Sequence, residues 1–227
     1  MKKTLTAALV ATMAVGSLSA QAYEEGDWIV RVGATTVDPT GDSDKIVLPT
    51  EPPTVLKGVD VDSDTQLGLI GAYMITDDFG LELLAATPFK HEIGIKGTPI
   101  TAGTVKQLPP TLSLQWYPRG GKDGWQPYLG LGLNYTYFFD EDIDSELEDA
   151  LGAIIGADSA ELELDNSFGF AGQVGVDFPL GEHWAINAGL WYIDIDTTAR
   201  IKTDVGTVKF DVDVDPWVYN IGIAYKF

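Results

Sequence analysis

The sequence contains no cysteine, few basic residues and, after residue 22, no long hydrophobic run. Without cysteine, the chain can form no disulfide, thiolate zinc site or thiol nucleophile. With 14 basic against 34 acidic side chains, the formal net charge is −20, and a nucleic-acid-binding protein would need a basic surface instead. A transmembrane helix needs about eighteen or more apolar residues in a row. We therefore expect neither nucleic acid as a partner nor a spanning helix.

The first residues are typical of an export signal. Residues 1–3 are basic, residues 5–15 form a short apolar run, and residues 20–22 have the small-x-small pattern that signal peptidases cut. The apolar run is about half of the roughly 20 residues that a spanning helix needs, which favours a cleaved signal over a retained anchor. We predict a signal peptide at residues 1–22 and a mature exported domain at 23–227.

Glycine and aromatic residues are abundant, with 25 Gly, 9 Phe, 6 Trp and 9 Tyr. Residues 128–139 alternate: large apolar side chains occupy the odd positions, and the even positions are mostly Gly, Asn or Thr. Residues 217–227 repeat this scheme. A soluble β-sandwich also alternates, but its second face meets water and is polar. A second face of small residues instead suits the crowded interior of a transmembrane barrel, which the pattern favours.

Eight such runs predict an all-β fold, namely an eight-stranded antiparallel transmembrane β-barrel. The runs are 28–37, 65–75, 80–93, 105–117, 126–139, 164–178, 184–201 and 208–227. The linkers alternate between short and long, as expected of short periplasmic turns and longer extracellular loops. Within the third long loop, residues 145–156 are predicted to form a short helix. Aromatic residues near both ends of the strands predict two interfacial girdles.

Several segments together resemble the outer membrane protein W family. They are 28–34, 81–89, 108–112, 115–117, 127–130, 134–136, 172–177, 191–197 and 215–218. The resemblance implies a small eight-stranded barrel in the cell outer membrane, with a narrow channel and an apolar interior pocket. It also implies uptake of small hydrophobic molecules. Outer-membrane lipids, including lipopolysaccharide, and the outer-membrane assembly machinery are the other expected partners.

No motif for catalysis or for a cofactor is present. The two histidines, His91 and His183, fall at opposite ends of the predicted barrel and cannot share a site. A dyad of His91 with a loop residue is less expected than a solvated lone histidine. Residues 140–151 begin like a calcium loop, but Ser145 replaces the required Gly and Leu151 the closing Glu. We predict no enzyme, no cofactor and no metal site, with weak divalent-ion binding by this acidic loop left open.

The strand pleat predicts which side chains face the lumen. Near the periplasmic end these are Arg31, Glu82, Asp177 and Lys226, which should pair into a plug because unpaired buried charges are unfavourable. The same pairs could serve only to stabilise the barrel. In the outer half, the predicted pocket is apolar and lies above the bilayer. It comprises Leu84, Phe138, Ile193, Ile195, Phe210, Val212 and Val214.

Prolines mark one place in the wall. Pro88 in the third predicted strand and Pro109 and Pro110 in the fourth should meet at similar height, and each lacks the N–H that a ladder needs. We predict a side opening there, bordered also by Leu84 and Leu108, although these prolines could simply end the ladder.

Two functions remain open at this point. The first is a channel for passive uptake of small hydrophobic molecules with lateral release. The second is a non-conducting barrel that acts as a structural or surface-interaction protein through its acidic outer loops.

Overall fold

A computed structural model describes residues 22–227, so the predicted signal peptide, apart from Ala22, lies outside the described residues. Within that range there are sixteen strands and one helix. The strands are β1 (Trp28–Asp38), β2 (Ile46–Leu48), β3 (Thr54–Leu56), β4 (Val59–Val61), β5 (Asp64–Met74), β6 (Phe79–Ala86), β7 (Phe89–Ile95), β8 (Thr101–Leu108), β9 (Thr111–Trp116), β10 (Gln126–Ile143), β11 (Ala160–Leu164), β12 (Ser167–Pro179), β13 (Trp184–Ile193), β14 (Asp196–Thr203), β15 (Gly206–Asp213) and β16 (Trp217–Lys226). The helix is α1 (Ser145–Ile155). No helix in the described range is long and apolar enough to cross a membrane.

Eight of the strands close into an antiparallel barrel, as the alternation predicted. The order is β12-β13-β16-β1-β5-β6-β9-β10, and β10 returns to pair with β12. We call this closed part the lower barrel. At the seam between β1 and β16, Gly33 lies opposite Gly222, and a Cβ at Gly33 would lie 2.4 Å from the carbonyl oxygen of Ile221. Only glycine fits this close approach without a shift of the backbone.

The outer surface of the lower barrel is apolar and ends in aromatic side chains. Leucine, valine, isoleucine and phenylalanine side chains in its middle are exposed, among them Leu69, Leu131 and Phe170. Exposed tryptophans form one aromatic girdle: Trp28, Trp116, Trp125 and Trp184. Tyr135, Tyr137, Tyr192 and Trp217 form the other. A lipid-facing band flanked by two girdles is the exterior expected of an outer-membrane barrel.

Above the second girdle, the wall continues as two smaller sheets that we call the extension. One contains β4, β7, β8 and the end of β10, and the other contains β11, β14 and β15. Its outward side chains are charged, for example Lys90 and Asp211, whereas its inward side chains, for example Ile93 and Val212, are buried and apolar. Because charges facing hydrocarbon are unfavourable, the extension lies above the bilayer.

The predicted strands were too continuous. Runs three and four are each broken at prolines, run seven at Asp194–Ile195 and run eight before Trp217. In run three the inward parity, that is, whether even- or odd-numbered residues point inward, changes across the break. The even-numbered Glu82 and Leu84 are buried in β6, whereas the odd-numbered Phe89 and His91 are buried in β7. In run eight, Val214 and Val218 are both buried, so the segment containing Pro216 does not change the parity.

Two segments of the long loops cover the extension. Helix α1 was predicted, and Leu147 and Leu151 are its buried face. Asp144 caps its N-terminus by accepting a hydrogen bond from the Glu146 N–H, 2.9 Å away, and Gly156 ends it in the left-handed conformation. The β2–β3 hairpin was predicted only as loop, yet Ile46 and Leu48 are almost fully buried. Both segments add apolar side chains to the interior of the extension.

Candidate functional site

The periplasmic half of the lumen is filled by a hydrogen-bonded group of side chains that we call the lumen network. It comprises Arg31, Glu82, Gln115, Tyr117, Gln173 and Asp177, all buried. The Arg31 guanidinium donates to Glu82 Oε2 at 2.8 Å and to Asp177 Oδ2 at 2.6 Å. Such short, doubly paired contacts are the geometry in which a buried cation is stable.

Neutral side chains complete the network. Gln115 and Gln173 donate to the two carboxylate oxygens of Glu82 at 2.6 and 2.7 Å. Tyr117 accepts a hydrogen bond from Arg31 at 3.0 Å and donates one to Gln115 at 2.7 Å. The ring of Tyr128 lies 4.9 Å from the guanidinium carbon of Arg31. The pleat predicted Arg31, Glu82 and Asp177, but the two tyrosines were missed because both lie at strand ends, where the pattern is short.

Lys226 does not join the network, contrary to our expectation of four charges at one depth. Its ammonium group donates to the carbonyl of Ala22 at 2.9 Å and lies 3.3 Å from an Asp27 carboxylate oxygen. The strand ends at this residue, so a long side chain there reaches the periplasmic rim. The Tyr23 hydroxyl contacts Asp177 instead, at 2.9 Å. The network therefore holds one cation and two carboxylates.

The extension encloses an apolar cavity, which we call the upper cavity. It contains about 620 Å³ of empty space, its mouth included. Of the predicted pocket residues, Phe138, Phe210, Val212 and Val214 line it. Ile46 from β2 and Leu147 from α1 lie on its outer side. A lining that is apolar apart from a few polar side chains is typical of small-molecule pockets.

Three predicted pocket residues lie elsewhere. Ile193 and Ile195 are fully buried in the same apolar core but do not line the upper cavity. Ile193 ends β13 and Ile195 lies in the break before β14, at the level where the lower barrel meets the extension. Leu84 lies below the break in run three and lines a second, smaller cavity of about 230 Å³. The prediction placed all seven at one level because it treated the strands as unbroken.

The wall between runs three and four lacks a ladder at the prolines. The β6–β9 ladder ends at the pair Leu84 and Thr111, and the β7–β8 ladder begins at the pair Phe89 and Gln107. Residues 85–88 and 108–110 lie between these pairs, and we call this stretch the wall gap. Pro88 and Pro110 are exposed there, Pro109 is buried, and Leu108 is half-buried.

The smaller cavity lies directly behind the wall gap. Its lining includes Leu84, Ala85 and Ala86 from one strand and Pro109 from the other. Phe89 also lines it and stacks at 6.3 Å on the ring of His91, which lines the upper cavity. Phe89 therefore lines the smaller cavity and contacts a residue that lines the upper one.

His91 is buried and faces the upper cavity, whereas the sequence suggested a solvated histidine. Its Nδ1 lies 2.6 Å from the carbonyl oxygen of Asp62, and its Nε2 lies 2.8 Å from the amide nitrogen of Gln107. Burial lowers the pKa of His91, while the Asp62 carbonyl and the Asp64 and Asp62 carboxylates oppose that shift. The parity change in run three turns this side chain inward, and no sequence pattern marked it.

On the outer surface, at the base of the extension, three carboxylates lie close together next to the second girdle. Oxygens of Asp194, Asp196 and Asp215 all lie within 4.8 Å of one another. Burial, and then the carboxylates of Asp194 and Asp215, raise the pKa of Asp196. Asp194 lies in the break of run seven, Asp196 begins β14, and Asp215 lies in the break before Trp217, so the three come from two neighbouring strand breaks.

Comparison with known proteins gives the family. The model of the OmpW family matches residues 24–227. The chain belongs to this family. Outer membrane protein W of Escherichia coli is 41% identical over 99% of this chain and 100% of its own length. Outer membrane protein W of Vibrio cholerae is 41% identical and covers 100% of each chain.

The fold comparison agrees with the family. The crystal structure of the outer membrane protein OprG from Pseudomonas aeruginosa superposes with a TM-score of 0.81, at 47% identity, over 92% of this chain and 99% of that one. As a member of the OmpW family with an apolar band between two girdles, this chain resides in the cell outer membrane. The lower barrel spans that membrane, and the extension rises on the outer side.

Proposed function

We propose that this OmpW-family barrel is a channel for passive uptake of small hydrophobic molecules. The carrying observation is the apolar upper cavity, which stands above a lumen closed by charged and polar side chains. Because an eight-stranded barrel is barely wide enough for its own side chains, the lumen network blocks a straight path to the periplasm. An apolar molecule held in the cavity therefore needs an exit through the wall.

We assign that exit to the wall gap. Support comes from the missing ladder, from the smaller cavity behind it, and from Phe89, which lines that cavity and stacks on His91 of the upper one. Irregular backbone at membrane depth is tolerated where it lines a cavity, and the smaller cavity lies behind the prolines. A molecule that passes Phe89 and crosses the gap enters the outer leaflet without disturbing any charge.

Uptake by cells with and without the gene tests the channel, with a radiolabelled alkane or terpene as the probe. The sharper comparison uses two neighbours on β14. Ala199 lines the upper cavity, whereas Thr198 faces outward. Ala199→Phe should fill the cavity and abolish the gain in uptake, and Thr198→Phe should leave it intact. Both variants should still show heat-modifiable gel mobility. Equal uptake by the two variants would instead favour a surface-interaction role for the acidic loops.

A crosslink tests the exit, because the chain has no cysteine of its own. Ala85→Cys with Pro110→Cys continues the register one step beyond the last β6–β9 pair and spans the wall gap. Leu83→Cys with Leu112→Cys is the matched control, since these residues are already paired in the ladder. Oxidation should stop uptake in the first pair only, and a reductant should restore it. Unchanged uptake through the locked gap would contradict lateral release.

A further inference from the structure

Two polar side chains, His91 and Gln107, lie on the otherwise apolar lining of the upper cavity. Gln107 is 1% exposed. Its ladder neighbours are Phe89 on β7 and Phe138 on β10, both buried. The Oε1 oxygen of Gln107 has no hydrogen-bond partner in the described part of the chain. A buried acceptor without a partner is uncommon because its desolvation is not compensated.

The hydrogen bonds of His91 determine which end of the Gln107 side-chain amide has no hydrogen-bond partner. His91 Nδ1 lies 2.6 Å from a carbonyl oxygen, an acceptor only, so Nδ1 carries the proton. In a neutral imidazole Nε2 is then an acceptor, and the Gln107 group 2.8 Å away must be its NH₂. Rotating the amide by half a turn would set two acceptors against each other. The carbonyl oxygen of Gln107 is therefore the acceptor without a partner, and because it is covered, a ligand has to displace a neighbouring side chain to reach it.

We propose that the upper cavity selects neutral amphipathic molecules that donate one hydrogen bond, such as medium-chain primary alcohols, and that Gln107 Oε1 accepts this bond. The inference rests on the proposed function, since it names the class of molecule that the channel takes. A charged head group is disfavoured because no lining side chain carries an opposite charge. A polyol is disfavoured because its remaining hydroxyls would stay unpaired among apolar side chains.

Two isomers separate hydrogen-bond donation from size. Octan-1-ol and 1-methoxyheptane have the same atoms, but only the alcohol donates a hydrogen bond. Protein in lipid nanodiscs with labelled Ile, Leu and Val methyl groups would be titrated with each isomer and with octane, and the shifts of Val212 and Ile201 in the cavity would be read. Gln107→Leu removes the acceptor. Gln126→Leu is the matched control, because Gln126 also has a buried Oε1 without a partner but lies at the periplasmic end.

The affinity for the alcohol divided by that for the ether should be roughly 2- to 10-fold larger in the wild type than in Gln107→Leu. This is the range expected for one net hydrogen bond. Gln126→Leu should keep that preference. If Gln107→Leu does not fold, the NMR resonance of the Gln107 side-chain carbonyl carbon in the wild type still tests the inference. This resonance should shift when the alcohol is added and should not shift with the ether. Equal ratios in wild type and Gln107→Leu, or an unmoved carbonyl resonance, would overturn the inference, for instance because a buried water satisfies the oxygen. Binding of octane and the ether would then leave the proposed function standing, whereas no binding by any of the three compounds would remove both.

Discussion

Arg31 is the one cation of the lumen network, and its replacement tests how the periplasmic half of the barrel is held together. Arg31 is fully buried and contacts both carboxylates, Glu82 at 2.8 Å and Asp177 at 2.6 and 3.2 Å. Arg31→Met keeps an unbranched side chain but leaves two buried negative charges without a counter-charge. Removing one partner of a buried ion pair lowers the free energy of unfolding by about 3–5 kcal/mol.

Glu82→Gln should have a much smaller effect, although it changes the same network. The amide can still accept from Arg31 and Gln115 where Oε2 stood, and Gln173 can turn its own amide to accept from the new NH₂, at the loss of its 3.1 Å hydrogen bond from Gln115. The variant also removes one of two negative charges that face a single cation. We expect a loss of about 1 kcal/mol or less, the scale of one neutral hydrogen bond.

Urea-dependent folding into lipid vesicles, followed by circular dichroism and heat-modifiable gel mobility, would measure both free energies. Arg200→Met is the control, because Arg200 forms a doubly hydrogen-bonded pair with Asp165 on the exposed surface of the extension. Surface pairs contribute little, so this variant should match the wild type. A wild-type free energy for Arg31→Met, or an equal loss for Glu82→Gln, would refute the account of the network.

Three further predictions follow from the lumen and the wall. In planar bilayers the wild type should show at most small, infrequent conductance, because the lumen network closes the barrel; a large, steady current would contradict it. Gly33→Ala should lower the free energy of unfolding by about 1–3 kcal/mol, since its Cβ would meet the Ile221 carbonyl at 2.4 Å, while Gly71→Ala, with no atom within 4 Å of the added Cβ, should not change it. Because burial lowers the pKa of His91, its imidazole NMR shifts should report a neutral ring at pH 7, and acidification below the ordinary histidine value of about 6.5 should destabilise the native barrel of the wild type more than that of His91→Gln. The sign follows because the unfolded chain takes up the proton first; a ring that titrates at or above the ordinary value would exclude this.

The period of two made the lower barrel and most of its interior predictable. On one strand face, a residue such as Arg31 among apolar neighbours can only point into the lumen, because the other face meets lipid. The same reasoning selected Glu82 and Asp177 from different strands at one depth. It failed for Lys226, because at a strand end the side chain can reach the rim and the pleat no longer confines it.

The extension was harder to predict because its geometry depends on breaks in the strands. Across Thr87 and Pro88 the inward parity changes, and a one-residue slip turns every later side chain to the other face. Period counting on an unbroken run three therefore put His91 outside and missed its contact with Gln107. The β2–β3 hairpin was missed for another reason: three-residue strands are too short for alternation to be recognised.

The contrast between the two halves of the lumen is the physical reason for proposing a sideways exit for an apolar molecule. Downward, it would have to part Arg31 from Glu82 and Asp177 and leave fully buried charges unpaired, at several kcal/mol each. Sideways, at the wall gap, the ladder between runs three and four is already interrupted, and the side chain of Phe89 that borders the smaller cavity is apolar. A rotamer change of one side chain is far less unfavourable than separating a buried ion pair. On the proposed function, the same barrel would therefore stay closed to ions and water-soluble solutes while it releases an apolar molecule into the outer leaflet.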